Sequence, residues 1–356
     1  MSPRPCDGFA RALLAWHHHS GRHDLPWQHP RTPYRVWLAE VMLQQTQVGT
    51  VIPYFERFVT DLPTLPDLAA AELDTVLALW SGLGYYARAR NLHRAARLCV
   101  ERHGGELPKD IEALQALPGI GRSTAGAILA QAHGQRHAIL DGNVKRVLCR
   151  FHGIEGWPGS REVEQRLWPL AESHLPHERL AEYAQAQMDL GATVCTRADP
   201  SCMLCPLSTD CRARLDGRID QLPTPRPGKA LPQRQAIVMI LRNGAGEVLL
   251  QRRPPTGVWA GLWSLPEALD HVEARVWLHR HSDRIFELGR SLAPVDHVFS
   301  HYRLRLQPRL WTDARLTGVH EDRQQRWLAL DALESVGLPT PIKRLLAALA
   351  VDKTSG

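Results

Sequence analysis

Nowhere in its 356 residues does this chain carry an apolar run near the roughly 20 residues that span a bilayer. Its first twenty residues hold one short apolar stretch, Ala12 to Trp16, followed by three histidines, and lack the h-region and small-residue cleavage site of a secretory signal. There is no internal repeat and no long low-complexity tract, which sets aside solenoids and biased tails. Strand-like alternation is nearly missing up to about residue 219. Lysine is sparse beside arginine. Seven cysteines in so long a chain are too few for a disulfide-stapled scaffold. These absences lead us to expect a reducing cytoplasm and no membrane contact. Cys6, Cys99 and Cys149 are then free thiols, the last two buried on helices.

What is present is enough for two cores, with 44% hydrophobic residues. Net charge is +6, a weak pointer toward polyanions that the arginine bias strengthens slightly, because a guanidinium fork suits phosphate. From residue 7 to about 219, apolar positions recur at helical spacing, as in Tyr34–Leu43, Leu73–Trp80, Arg88–Arg102, Ser123–Ala132, Val144–Phe151 and Glu178–Leu190. Pro223, Pro225, Pro227 and Pro232 make 221–234 an extended linker. Beyond it, Gln235–Leu241 reads as a strand, Asn243-Gly-Ala-Gly as a hairpin turn, and Glu247–Gln251 as the returning partner. Val298–Leu306 and Arg326–Leu330 are further strand candidates, and Pro341–Leu349 a closing helix. The expected architecture is mainly α: a helical domain over 1–220, the linker, and an α+β domain over 235–350.

Four cysteines crowd into the middle of the chain: Cys195, Cys202, Cys205 and Cys211, spaced C-x6-C-x2-C-x5-C. A zinc ribbon pairs two C-x2-C knuckles across a longer stretch, and only one knuckle exists here. A single compact run with unequal gaps suits an iron–sulfur cubane, one thiolate per iron. Zinc stays open as the alternative, and a pair of disulfides would need an oxidising compartment.

Within 112–131, Leu117-Pro-Gly-Ile-Gly-Arg-Ser-Thr-Ala-Gly links two helices through a glycine-rich turn. Gly119 and Gly121 permit close backbone approach, and the amides opening the second helix make a seat for phosphate. A plain helix-turn-helix corner would use the same residues. Glu40 shares a helix face with Val36, Trp37 and Leu43, where a solvated glutamate would keep charged company. A carboxyl desolvated this way holds its proton near neutrality, although an arginine-paired glutamate at the edge of a buried stripe fits the same pattern. Asp141 follows the apolar Ala138-Ile-Leu and opens a helix, the position of an N-cap.

Leu117–Ile128 resembles the helix-hairpin-helix of the DNA glycosylase superfamily that includes endonuclease III, and Cys195–Cys211 is similar in spacing to that superfamily's iron–sulfur loop. Ala39-Glu-Val-Met-Leu-Gln-Gln-Thr-Gln, Gly82-Leu-Gly-Tyr-Tyr-Ala-Arg-Ala-Arg-Asn and Leu140-Asp-Gly-Asn-Val-Lys-Arg-Val resemble its adenine DNA glycosylase branch, the MutY type. The likeness runs from about Leu25 to Cys211 and returns after the linker. It implies a two-lobed helix-hairpin-helix glycosylase domain with an iron–sulfur loop, one [4Fe-4S] cluster on the four cysteines, and a Nudix-like C-terminal domain. It implies a monomeric, nucleoid-associated enzyme of base excision repair, acting on double-stranded DNA that holds adenine opposite 8-oxoguanine or guanine.

The resemblance also assigns roles. Glu40 would protonate the adenine at N7 and later activate water. Asp141, oriented by Asn143, would stabilise the sugar cation, with transient covalent capture as one version of that role. Lyase members of the superfamily carry a lysine where this chain has Ser123, so cleavage should stop at base removal. Gln45, Leu83 and Tyr85 are candidates for the wedge that replaces an extruded base. Gly119, Gly121 and Ser123 would hold the backbone of the DNA, with Arg88, Arg90, Arg146 and Lys145 reaching phosphates. Trp27 and Gln185 would line the adenine pocket. Arg197 and Arg212 flank the cysteine loop.

In the second domain, Gly261 and Glu267 have the separation that begins a Nudix box, but Arg275 is followed by Val276-Trp-Leu-His-Arg where an acidic pair is needed. Hydrolysis of nucleotide diphosphates is therefore disfavoured. Phe299-Ser-His resembles the family segment that checks for 8-oxoguanine, with Ser300 and His301 as hydrogen-bonding groups; a strand with an exposed serine and histidine would look the same. A non-catalytic, cluster-bearing DNA-binding module is the third reading, opposed by Glu40 and Asp141 both falling in matching motifs.

Overall fold

The computed structural model describes residues 6–228, 230–282, 287–316 and 324–351. The Cys6 side chain lies outside the described set. The chain packs as two compact units: residues up to Ala70 together with Asn91–Gly228, and Ala71–Arg90 together with the chain beyond the linker. No helix among the described residues is long and apolar enough to cross a membrane.

The first unit is helical. It contains α1 (Cys6–Ser20), α2 (Pro33–Leu43), α3 (Val48–Asp61) and α4 (Leu65–Ala70), most of α6 (Ala87–His103), and α7 (Ile111–Gln115). It continues with α8 (Arg122–His133), α9 (Gly142–His152), α10 (Arg161–Ser173), α11 (Leu180–Asp189) and the short α12 (Arg212–Leu215). Thr32 starts α2 by accepting from the Arg35 amide at 3.2 Å, with Pro33 in the first turn, where its missing N–H costs nothing. Tyr34, Val36, Trp37, Leu38, Ala39, Val41 and Met42 are all buried, so α2 is enclosed on nearly every side and packs against α3 and α8. α8 and α9 both stop at left-handed glycines, Gly134 and Gly153. α11 does not stop at Asp189; it widens into a π turn over Leu190–Val194 that delivers the chain to Cys195. One core joins Leu13, Leu148, Leu167, Tyr183 and Leu190, and Cys195 and Cys205 pack on it. Cys99 and Cys149 are buried on α6 and α9, and burial pushes each thiol up to about 11.

The second unit carries α5 (Leu73–Leu79) and two sheets. The larger sheet has the order β4 (Glu267–Ala268), β1 (Gln233–Leu241), β7 (Arg303–Trp311), β5 (Arg290–Ser291), with β6 (Val295–Val298) also on β7. β1 and β7 run parallel, Gln233 opposite Arg303 and Leu241 opposite Trp311. The smaller sheet is β3 (Trp263–Ser264), β2 (Val248–Arg252), β8 (Gln325–Leu328). α13 (His271–His281) and α14 (Thr340–Val351) complete the unit.

Two expectations change here. The hairpin between β1 and β2 is reduced to one bridge, Arg242 to Val248, before the strands part into different sheets. The turn itself forms, with Asn243 Oδ1 accepting from the Ala245 and Glu247 amides at 3.0 and 2.9 Å. The strands separate because β1 is apolar on both faces: Val238 and Ile240 enter one core, Ile237, Met239 and Leu241 another. A strand buried on both faces takes central neighbours, here β4 and β7. The second change is that Val298–Leu306 is not one strand. β6 ends at Val298, the Phe299 amide donates to the Tyr302 carbonyl at 2.9 Å, and β7 starts at Arg303. Ser300 and His301 therefore stand exposed at a hairpin tip.

Gly126 sets how closely α8 meets the segment before Asp141. A Cβ there would lie 2.4 Å from the Ala138 carbonyl oxygen, which is backbone and cannot swing aside. Gly126→Ala should cost about 2 kcal/mol through overpacking, seen as a fall of several degrees in thermal midpoint. An unchanged midpoint would contradict this packing.

Candidate active site

A cleft of about 810 Å³ opens in the first unit. It is lined by Trp27, Glu40, Gln45, Ser123, Asp141, Asn143, Lys145 and Gln185, among others. Sequence positions 27 to 185 thus converge on one cavity, and the two carboxylates share it.

Glu40 comes from the last turn of α2. Its Oε1 accepts from Gln131 Nε2, on α8, at 3.0 Å. Burial first, and the nearby Asp141 charge second, raise its pKa to about 7, against the lowering effect of Gln131. Asp141 caps α9: its Oδ1 accepts from the Val144 amide at 2.8 Å. Its Oδ2 accepts from Asn143 Nδ2 at 3.3 Å. Burial is the largest influence on Asp141 and raises its pKa; the Val144 amide, Arg146 and Asn143 oppose it without cancelling it. The helix cap and the cleft-lining carboxylate are the same residue, so capping does not exclude the other sequence reading of Asp141.

Asn143 is itself held. Arg146 donates from Nη2 to Asn143 Oδ1 at 2.8 Å and to the Gly191 carbonyl at 2.6 Å, and from Nε to the Cys195 carbonyl at 2.7 Å. Expected on phosphate, Arg146 instead turns inward, because three acceptors converge on its fork. Gly191 has no room for a side chain: a Cβ would lie 2.5 Å from Asn143 Cβ. Ser123 Oγ accepts from the Leu140 amide at 2.9 Å, bracing the turn into Asp141. Lys145 pairs with Glu164 at 3.0 Å.

Trp27 is buried edge-on to Phe55. Gln185 is buried and donates from Nε2 to Asp189 Oδ1 at 2.8 Å, while its Oε1 has no partner. Asp189 is fully buried; the Arg22 amide donates to its Oδ2 at 2.8 Å, and Arg22 Nε and Nη2 donate to Oδ1 at 2.8 and 2.6 Å. Burial alone would raise the Asp189 pKa, but His17 and Arg22 outweigh it and hold the carboxyl below the ordinary range. The sequence reading missed Arg22, Gln131 and Asp189. The available signal was a polar residue at a core position: Gln131 ends the apolar run Ala125–Ala130, and Gln185, Gln187 and Asp189 interrupt a buried helix.

At the hairpin, α7 is followed by Gly119, at φ 81°, and by Gly121, which opens α8 without a side-chain cap. The first amides of α8 therefore have no capping side chain, the condition for accepting an anion. Gly119 also allows Asn91 to approach, its Cβ only 2.9 Å from where a side chain would begin. Gln45 is exposed, with φ of 61°, a left-handed conformation unusual for a glutamine.

All four loop cysteines line a second, small pocket with Arg150 and Arg214. Arg150 is buried and donates to Cys195 Sγ at 3.4 Å and to the Thr196 and Leu222 carbonyls at 2.6 and 2.7 Å. Burial, with the neighbouring cysteines adding to it, raises Cys205 to about 11, against an amide donor from Leu207. Among the described residues no three ligating side chains form a group able to hold a metal ion.

The second unit carries the remaining candidates. Leu83 is buried, and Arg88, nearly buried, donates from Nη2 to the Leu83 and Gly84 carbonyls at 3.2 Å. Burial lowers the Arg88 pKa to about 10. Tyr85 stands out, 52% exposed, with φ of 48°. Arg90, expected on phosphate, donates to the Ala260 carbonyl at 2.6 Å. Glu267 is paired with Arg253 at 2.6 Å, and Phe299 packs among Trp259, His297 and Tyr302.

Two family models match the chain, an HhH-GPD superfamily base excision DNA repair protein over residues 38–173 and a NUDIX domain over 237–348. The adenine DNA glycosylase of Buchnera aphidicola (Acyrthosiphon pisum) is 36% identical over 95% of this chain and 96% of its own length. The chain belongs to the adenine DNA glycosylase family. The Homo sapiens adenine DNA glycosylase is also 36% identical, over 95% of this chain and 73% of its own length. A solved thermostable thymine-DNA glycosylase aligns with 59% of this chain and 97% of its own, at TM-score 0.54 and 27% identity. The helix-hairpin-helix domain with a Nudix-like α+β domain is thus the architecture of this adenine DNA glycosylase family member.

Asp141→Asn keeps an N-capping oxygen and removes a half-buried charge. Because burial raises its pKa in the folded state, ionised Asp141 opposes folding above that pKa. The variant should melt at the same or a higher temperature while losing activity. A fall of several degrees would contradict the stated balance of burial against capping.

Proposed function

We propose that this protein is a monofunctional DNA N-glycosylase of base excision repair that removes adenine opposite 8-oxoguanine or guanine after drawing it out of the duplex. The observation that carries this reading is the convergence of Glu40 and Asp141 on one cleft, with the Glu40 pKa raised to about 7. The glycosylase domain read over 1–220 is then centred on the first unit, without the Ala71–Arg90 segment that packs in the second, and residues 235–350 form the domain that reads the partner base through Ser300 and His301. The exposed hairpin tip that carries those two residues supports that role.

Glu40, protonated, donates to N7 of the extruded adenine. The bond from C1′ to N9 breaks with its electron pair leaving on the base. Asp141 faces the cationic sugar, and its carboxylate is the nearest compensating charge. Water then adds to C1′ and gives its proton to the Glu40 carboxylate, which restores the acid. Asn143, locked by Arg146, fixes the Asp141 carboxyl in place. Trp27 and Gln185 form the wall against the base. Gln45 in the first unit is a wedge candidate on left-handed backbone, and Tyr85 in the second unit is a separate one, with Leu83 and Arg88 shaping the turn that presents it. Gly119, Gly121 and Ser123 seat the DNA backbone on α8, and Lys145 adds positive charge at the cleft.

Cys195, Cys202, Cys205 and Cys211 would hold one [4Fe-4S] cluster, which when bound supplies a rigid crosslink for the loop. The donor set suits such a group in its chemistry, four thiols around one small pocket, while among the described residues the side chains are not gathered into a ligating group. The four sulfurs share one pocket, an arginine is buried against Cys195, and backbone amides from Leu207, Ala213 and Arg214 reach Cys205 and Cys211. The amides from Leu207, Ala213 and Arg214 oppose the burial that raises Cys205 and Cys211.

Excision from a duplex with adenine opposite 8-oxoguanine, and none from one with adenine opposite thymine, is the decisive assay. Glu40→Gln should slow single-turnover excision by about 10²–10⁴-fold. For wild-type protein the rate should fall about tenfold per unit above pH 7, because only the protonated acid donates, and fall again on the acid side once Asp141 takes up its proton. A near wild-type rate for Glu40→Gln removes the acid role. Borohydride should trap no covalent adduct; efficient trapping would contradict the Ser123 argument.

A further inference from the structure

Gln185 lines the cleft, yet its amide nitrogen points away from it, to the fully buried Asp189. Both ends of an amide can fit such a position, and which way it faces decides whether the cleft meets a donor or an acceptor. Here the choice is forced. An ionised carboxylate only accepts, and Asp189 is kept ionised by the Arg22 amide and guanidinium and by His17, 3.5 Å away. Gln185 Nε2 must therefore face Asp189, and Oε1, buried and without a partner, is the atom left for a ligand.

We propose that Asp189 is a positioning residue that sets base specificity, by locking the Gln185 amide so that its carbonyl oxygen, an acceptor only, meets the extruded base. This inference rests on the adenine glycosylase reading. An acceptor at that point pairs with the exocyclic 6-amino group of adenine. It opposes the 6-carbonyl of guanine or hypoxanthine, where two acceptors would face each other across a dry gap. Arg22 also lines the cleft and is anchored by the same carboxylate, so one buried anion orients two walls of the pocket. Asp189 sits where α11 passes into the π turn toward Cys195, a place where the backbone is fixed by both segments.

The test compares full-length wild-type, Asp189→Asn, Gln185→Leu and double-variant proteins in single-turnover excision. Three duplexes differ only in the target base: adenine, purine with no 6-substituent, or hypoxanthine. Asp189→Asn offers Gln185 a donor and frees its amide to turn. The adenine-to-purine rate ratio should then fall at least about tenfold, while hypoxanthine gains relative to purine. Gln185→Leu should lower the adenine-to-purine ratio by a similar factor, and the double variant should lower it no further than either single one. A merely structural role would slow all three substrates by one factor, and that result would overturn the inference, as would an unchanged ratio in Gln185→Leu. If Asp189→Asn does not fold, Asp189→Ser, which can also donate, replaces it under the same criteria. Wild-type protein that removes no adenine would instead sink the function proposed above, leaving the two failures distinguishable.

Discussion

Two carboxylates half-buried on the walls of one cleft are the constraint around which the first unit is arranged. Neither gains stability from its position: burial disfavours charge on Glu40 and on Asp141, and the charge on Asp141 raises Glu40 further. The fold answers each differently. Glu40 receives one neutral donor, Gln131, too little to offset its burial and the Asp141 charge. Asp141 receives the Val144 amide, the positive end of α9, Asn143, and the Arg146 charge beyond it. Similar groups in one cavity are thus driven toward unlike protonation states, which is the requirement for acid and counter-charge to work side by side.

α9 links this cleft to the cysteine loop. Its first residue cap is Asp141, its second turn supplies Arg146 to the Cys195 carbonyl, and its third supplies Arg150 to the Cys195 sulfur. A helix is stiff along its length, so the loop geometry and the carboxylate geometry are mechanically one problem. The π turn after α11 serves the same end from the other side, bringing Gly191 against Asn143, while Asp189 meets Gln185 one turn along α11 itself. A π turn at a functional site places side chains that a regular helix would rotate away.

Much of this was legible beforehand. The helices of the first unit could be read because their apolar spacing is regular and their ends carry Thr32, Asp141, Gly134 and Gly153. The cleft residues could be read because their motifs are long. Other features were less so. β1 and β2 parted because a strand apolar on both faces does not announce its neighbours, and local turn chemistry is weaker than two cores. For Arg146 and Arg90 the sequence shows the charge but not the carbonyls each one meets. Asp189 escaped notice because its partners, Arg22 and His17, lie more than 160 residues away. Ala71–Arg90 packing with the second unit is likewise invisible to any reading that moves along the chain.

The central claim is that Glu40 carries a proton near neutrality because its place on the half-buried cleft wall withholds much of the water that would stabilise its charge. An infrared difference titration of wild-type protein against Glu40→Gln reads that proton directly, as a carboxylic-acid carbonyl band present in one and missing from the other. The account predicts a band that persists up to about pH 7 and then disappears. A band that titrates near the ordinary 4.5 would mean that the cleft leaves Glu40 solvated, and the account would fail.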